Sequence, residues 1–154
     1  MKFRQATYEE FKDLMRKAIM HEYEHYRPHV PMERREWMRD NQPDFLWNIE
    51  GRESVVTEDG KNIVVTFPNG KDSRYLYSVY VDAEQRNHGI GTALINYAKE
   101  GAKGGVALHV ASSDDAAQRL YKRLGFKPYG MGPCRSIFMA TRKGLPGKDE
   151  WGND

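Results

Sequence analysis

Arg86-Asn87-His88-Gly89-Ile90-Gly91-Thr92 stands between an apolar run, Tyr75 to Val81, and an amphipathic stretch, Ile90 to Lys103. A strand that breaks into a helix through a glycine-rich turn presents a row of free backbone N–H groups at the positive end of a helix dipole, and that combination binds phosphate. The stretch therefore implies an α/β unit and a ligand carrying a pyrophosphate. Its spacing fits neither of two familiar phosphate loops. A P-loop needs a lysine closing the turn, and Gly91 is followed by Thr92 and Ala93. A dinucleotide fingerprint needs a third glycine, and none follows in register.

Working outward, Val106 to Val110 alternates as a strand, and Asp114 to Phe126 carries Ala117, Leu120, Tyr121 and Leu124 on one stripe ending at Gly125. Upstream, Lys2 to Ala6 reads as an edge strand. Thr7 followed by Glu10 forms a capping box, and Phe11, Leu14, Met15, Ala18 and Ile19 recur at helical spacing. That helix is expected to reach Met20 and to extend at most to Arg27, where Pro28 stops it. A second helix is expected from Met32 to Arg39, ended by Asn41-Gln42-Pro43-Asp44; Phe45-Leu46-Trp47 has no assignment. Ser54 to Thr57 and Ile63 to Phe67 read as a hairpin, and Cys134 to Thr141 as the final strand, with Cys134 in the core. The order implies a mixed, mostly antiparallel central sheet flanked by helices on both faces.

The three parts at these relative positions, a hydrophobic strand ending at Val81, the Arg/Gln-x-x-Gly-x-Gly/Ala turn at Arg86 to Gly91, and a closing helix with Ala117, Leu120-Tyr121 and Leu124-Gly125-Phe126, resemble the GNAT superfamily of acetyl-CoA-dependent N-acetyltransferases. The resemblance covers about the C-terminal half of the chain. It implies that the strands ending near Val81 and Val110 splay apart around the pantetheine arm of acetyl-CoA, the acyl donor, and that the acceptor is an amine of a small molecule or protein. It further implies that the backbone of Val79, Tyr80 and Val81 pairs with the pantetheine amides. The amides of Arg86, Asn87, His88, Gly89, Ile90, Gly91 and Thr92 would then cradle the pyrophosphate, Gly89 and Gly91 letting the main chain approach without a side chain in the way. Tyr121 falls at the general acid that protonates the departing thiolate, a task suited to a phenol of ordinary pKa near 10. The family's asparagine at the start of the last helix is Asp114 here, which the resemblance places among the coenzyme-binding residues, and its strand glutamate is replaced by Tyr75 and Tyr77. The general base is therefore unassigned by resemblance. Glu22, on the inward stripe of helix 1 with Leu14, Met15 and Ala18, is the candidate the residues themselves offer.

Two other readings compete. The missing strand glutamate suits a non-catalytic acyl-CoA-binding or interaction module of the same fold. His21-Glu22-Tyr23-Glu24-His25 satisfies His-Glu-x-x-His, the zinc peptidase pattern, although a third ligand would have to be found in Glu50 or Glu53. No metal is expected. His29 reads as a loop residue.

At 154 residues the chain suits one domain, expected over residues 1–142, with a flexible Gly/Pro/charged tail over 143–154. The 24 basic and 22 acidic side chains, net +2, are mixed along the chain, so neither a nucleic acid nor a membrane surface is an expected partner. A single cysteine excludes an internal disulfide, and with a charged N-terminus it gives a cytoplasmic expectation. The resemblance also allows a homodimer.

Overall fold

The computed structural model describes residues 1–147 and contains a seven-stranded sheet in the order β1-β2-β3-β4-β5-β7-β6. The elements are β1 (Phe3–Gln5), α1 (Tyr8–Tyr26), α2 (Met32–Trp47), β2 (Glu53–Thr57), β3 (Ile63–Pro68), β4 (Ser73–Tyr80), α3 (Ile90–Glu100), β5 (Gly105–Ala111), α4 (Asp115–Arg123), β6 (Lys127–Gly132) and β7 (Ser136–Ala140). A short 3₁₀ turn, Ala83–Gln85, precedes the glycine turn. All neighbouring strands run antiparallel except β4 and β5.

Alternation along the strands divides the core. Val56, Ile63, Val65, Phe67 and Tyr75 face α1 and α2 through Phe11, Leu14, Met15 and Leu46. Val55, Val64, Leu76, Leu108 and Val110 face the other way, toward Leu94 and Ile95 of α3 and Phe126 beyond α4. Helices thus cover both faces, as the element order predicts. No described helix is long and apolar enough to cross a membrane.

The Thr7 capping box forms as the sequence predicts, with the Thr7 side chain accepting from Glu10 N–H and the Glu10 carboxylate accepting from Thr7 N–H. The helix it starts runs past Met20 to Tyr26, because Tyr23 is still buried and Arg27 caps the end with its N–H on the Tyr23 carbonyl.

Three expectations are corrected. Helix α2 does not end at Asn41 to Asp44 but passes through Pro43 to Trp47. The cost of an interior proline, about 3 kcal/mol, is offset by what the last turn buries. Leu46 is fully enclosed, and Trp47 meets Phe11 at 5.2 Å between ring centroids and lies 3.7 Å beneath the Arg52 guanidinium. Cys134 is not a core strand residue: the C-terminal segment is a β6–β7 hairpin, and Cys134 sits exposed in its turn with φ of 55°. The expected flexible tail also begins too early, since Leu145 is buried and the Pro146 carbonyl accepts from Asn69 Nδ2 at 2.9 Å. Residues 148–154 of that expectation lie outside the described residues.

Candidate active site

The parallel ladder between β4 and β5 is short. It joins Ser73 to Gly105, Arg74 to Val106 and Tyr75 to Ala107, and then stops, although β4 continues to Tyr80 and β5 to Ala111. Each strand stays paired on its far side, β4 with β3 as far as Tyr80 and β5 with β7 as far as Ala111. The two therefore diverge as the edges of a wedge, and the inward backbone groups of β4 beyond Tyr75 lose their ladder partner there. A cleft of about 730 Å³ opens in the wedge, walled by the end of β4, the second half of α1, the start of α3, α4 and the β6–β7 turn.

At one end lies the glycine turn. Asn87 and Gly89 both take positive φ, 66° and 81°, and Gly89 is the N-cap of α3 with no side-chain cap. The first bond of the helix runs from Ala93 N–H to the Gly89 carbonyl at 3.0 Å, so the amides of Ile90, Gly91 and Thr92 precede the intrahelical ladder. Arg86 folds back, its Nε donating to the Val81 carbonyl at 2.9 Å and its guanidinium lying 5.5 Å from the Tyr80 ring centroid. That contact fixes the end of β4 against the turn. Val79, Tyr80, Val81, Arg86, Asn87 and Gly91 line the cleft; His88 is exposed.

At the other end the cleft gathers titratable groups from elements distant in sequence. Glu22 points in from α1, and its carboxyl is raised above the ordinary glutamate value by burial and by Asp114, with Arg27 opposing. Asp114 caps α4, accepting from Ala117 N–H at 3.0 Å. Tyr26, one turn beyond Glu22, is pushed up to about 12 by burial and by its interaction with Asp114. Tyr121 of α4 is held above the ordinary phenol range by burial, then by Asp114 and Glu22. Tyr77, taking a hydrogen bond from Gln42 at 3.4 Å, is likewise pushed up to about 12, chiefly by burial. Glu22 and Asp114 thus share one pocket with Tyr26, Tyr77 and Tyr121, beside Tyr23, Tyr75 and Tyr80, and the three phenols with raised pKa remain protonated at neutral pH.

The pair His21 and His25 from the zinc pattern stack face to face with ring centroids 4.1 Å apart. His25 Nδ1 lies 3.0 Å from the His21 carbonyl, and burial, His25 and Arg86 lower the His21 pKa. Among the described residues no group of three or more His, Cys, Asp or Glu is arranged to hold a metal ion.

The sequence profile of the acetyltransferase (GNAT) family matches residues 8–126. The chain belongs to that family. An uncharacterized N-acetyltransferase of Methanocaldococcus jannaschii is 43% identical over 56 residues, which are 34% of this chain and 25% of that protein. N-alpha-acetyltransferase 60 of Danio rerio is 31% identical over 88 residues, 53% of this chain and 36% of that protein. The chain thus aligns with only a quarter to about a third of the length of these relatives. The PaiA N-acetyltransferase of Thermoplasma acidophilum, solved with coenzyme A, shares the fold with a TM-score of 0.70 at 14% identity, over 92% of this chain and 98% of that one.

Within this GNAT fold, the sequence-predicted residues Glu22, Val79, Tyr80, Val81, Arg86, Asn87, Gly91, Asp114 and Tyr121 border a single cleft. Tyr26 and Arg27 also border it and were not singled out from sequence, and Tyr77, noted only as standing where the family has its strand glutamate, borders it too. Tyr26 had a usable signal, because it follows Glu22 by four residues on a helix.

Proposed function

We propose that the protein transfers the acetyl group of acetyl-CoA to a primary amine by direct attack in a ternary complex. The observation that carries this reading is the wedge between β4 and β5, which opens beside the uncapped start of α3. Its chemistry suits the coenzyme: unpaired strand edge for the amide-bearing pantetheine arm, and free helix N–H groups for the diphosphate. Acetyl-CoA supplies the activated thioester.

The backbone of Val79 to Val81 would hold the arm as an added strand, and the turn from Arg86 to Thr92 would hold the diphosphate. The amine arrives protonated and must become neutral to attack. Glu22 is suited to take that proton, because burial and Asp114 raise its basicity toward the working pH. As the C–N bond forms and the C–S bond breaks, the electron pair of the broken bond goes to sulfur. Tyr121, protonated at neutral pH, donates its proton to that sulfur, and the second proton that the nitrogen sheds as the amide forms restores the phenol. Asp114 keeps α4 in register through its cap and so positions Tyr121.

The test is release of coenzyme A thiol from acetyl-CoA with a panel of primary amines, run on wild type and Tyr121→Phe. Amine-dependent release that falls about 100-fold in kcat with little change in KM supports the acid role. Undiminished turnover by Tyr121→Phe removes that role. A wild type that binds acetyl-CoA and acetylates no amine favours the non-catalytic module.

A further inference from the structure

The β2–β3 hairpin carries a polar network aimed at the glycine turn. Asn62, just before β3, is fully buried. Its Nδ2 donates to Thr57 Oγ1 at 3.0 Å and to Gln85 Oε1 at 2.7 Å, while its Oδ1 accepts from Asp82 N–H at 2.8 Å. Gln85 Nε2 donates in turn to Asp59 Oδ2 at 3.0 Å. Asp59 Oδ1 accepts from the Thr57 hydroxyl at 2.7 Å and from Lys61 N–H at 3.0 Å. An amide buried to this degree gains nothing over an apolar side chain unless its bonds are needed where they end. Two of the three end on the segment Asp82 to Gln85, immediately before Arg86.

We infer that Asn62, Gln85 and Asp59 are positioning residues for the phosphate-binding turn. They clamp the chain between β4 and Arg86 onto the β2–β3 hairpin, and the packed helix α3, with Leu94 and Ile95 buried, anchors the other end. The amides of Arg86 to Thr92 are thereby ordered before the diphosphate arrives, and the coenzyme does not lose affinity to ordering the turn. The inference rests on the acetyl-CoA reading above.

Hydrogen-bond polarity supplies the test. Gln85→Glu sets a carboxylate oxygen against Asp59 Oδ2, and Asp59→Asn sets an amide nitrogen against Gln85 Nε2; the double variant restores the bond with donor and acceptor exchanged. Asp59 is exposed and Gln85 half-buried, so the singles are expected to fold, which melting verifies. Calorimetric titration uses acetyl-CoA and, as a probe lacking the diphosphate, S-acetylpantetheine. Each single variant should weaken acetyl-CoA binding about threefold to tenfold, the worth of one ordinary solvent-accessible hydrogen bond, leave S-acetylpantetheine unchanged, and be rescued in the double. Singles that bind acetyl-CoA as wild type does, an equal loss for S-acetylpantetheine, or an unrescued double overturns the inference while leaving the acetyl-CoA reading intact. A folded wild type that binds no acetyl-CoA overturns both.

Discussion

Gly89 and Gly91 lie two residues apart in the same turn, and alanine at each should have opposite effects on stability. Gly89 has φ of 81°, and a Cβ there would meet nothing within 4 Å. The cost of Gly89→Ala is therefore backbone strain alone, about 1–2 kcal/mol for an L-residue in the left-handed region. The protein can bear that strain in two ways. If the turn keeps its shape, stability falls by that amount, about 2–8 °C in melting temperature for a domain of this size. If the turn relaxes, its amides leave register and acetyl-CoA must pull them back, weakening binding roughly fivefold to thirtyfold. The two losses trade against each other, and their sum equals the strain. Gly91 is helical, and its Cβ would lie 3.7 Å from Val81 Cγ2, an ordinary contact directed at the end of β4. Gly91→Ala should therefore raise stability by about 0.4–1 kcal/mol through the unfolded chain, while the added methyl, on a residue that lines the cleft, should weaken acetyl-CoA binding by obstructing the approach of the main chain to the diphosphate. Paired melting and calorimetric titration read both quantities. If Gly89→Ala left both stability and affinity untouched, the left-handed cap would not be a constraint, and the reasoning about the turn would be wrong.

Further expectations follow from the same geometry. Glu22 has a folded pKa above its unfolded value, so its contribution favours folding at acid pH and is lost as pH rises from the ordinary glutamate range through the raised value. Glu22→Gln should thus match wild type in melting temperature near pH 4 and exceed it near pH 7.5, while losing acetyl transfer; an identical difference at both pH values refutes the assignment. Leu145→Ala, removing a buried side chain, should cost about 2–4 kcal/mol in chemical unfolding, whereas a negligible loss would return Leu145 to a loose tail. Cys134, exposed in the β6–β7 turn, should react with a thiol reagent in the native protein at a rate that denaturant scarcely raises.

What the sequence displayed of the fold depended on whether the deciding contacts were local. The capping box at Thr7 and Glu10 involves residues three apart and was readable directly. Strand β6, Lys127-Pro128-Tyr129-Gly130-Met131-Gly132, was invisible because almost all of it is exposed and it carries no alternation. It is a strand because β7 pairs with it, bulge and all, and pairing partners leave no period in a sequence. Pro43 misled for a related reason: proline is a local signal for helix termination, and the burial of Leu46 and Trp47 against α1 and Arg52 that overrides it is tertiary.

The same distinction divides the cleft into a legible half and an illegible one. The end proposed for the diphosphate is built from contiguous backbone, Arg86 to Thr92, and only glycine serves comfortably at Gly89, so the amino-acid types betray the conformation. The end proposed for the acceptor is assembled from α1, β4, α4 and the β6–β7 turn, whose residues meet only after the sheet forms. Glu22 could be suspected from its helical stripe, but its raised basicity depends first on burial in the assembled cleft and then on Asp114, ninety-two positions away in the chain. Tyr26 and Tyr77 gave no motif, yet burial in the same cleft keeps them, like Tyr121, protonated. The strand glutamate missing at Tyr75 and Tyr77 thus need not mean a missing base. A carboxylate delivered from α1 reaches the same cleft, and the two positions differ in consequence. A base on β4 is fixed by the sheet, whereas Glu22 sits five residues before the helix end at Arg27 and depends on that last turn remaining wound. With Glu22 as the proposed base, acceptor binding against α1 would bear on its orientation as well as on affinity, and substitutions that loosen the Arg27 cap should lower kcat rather than raise KM.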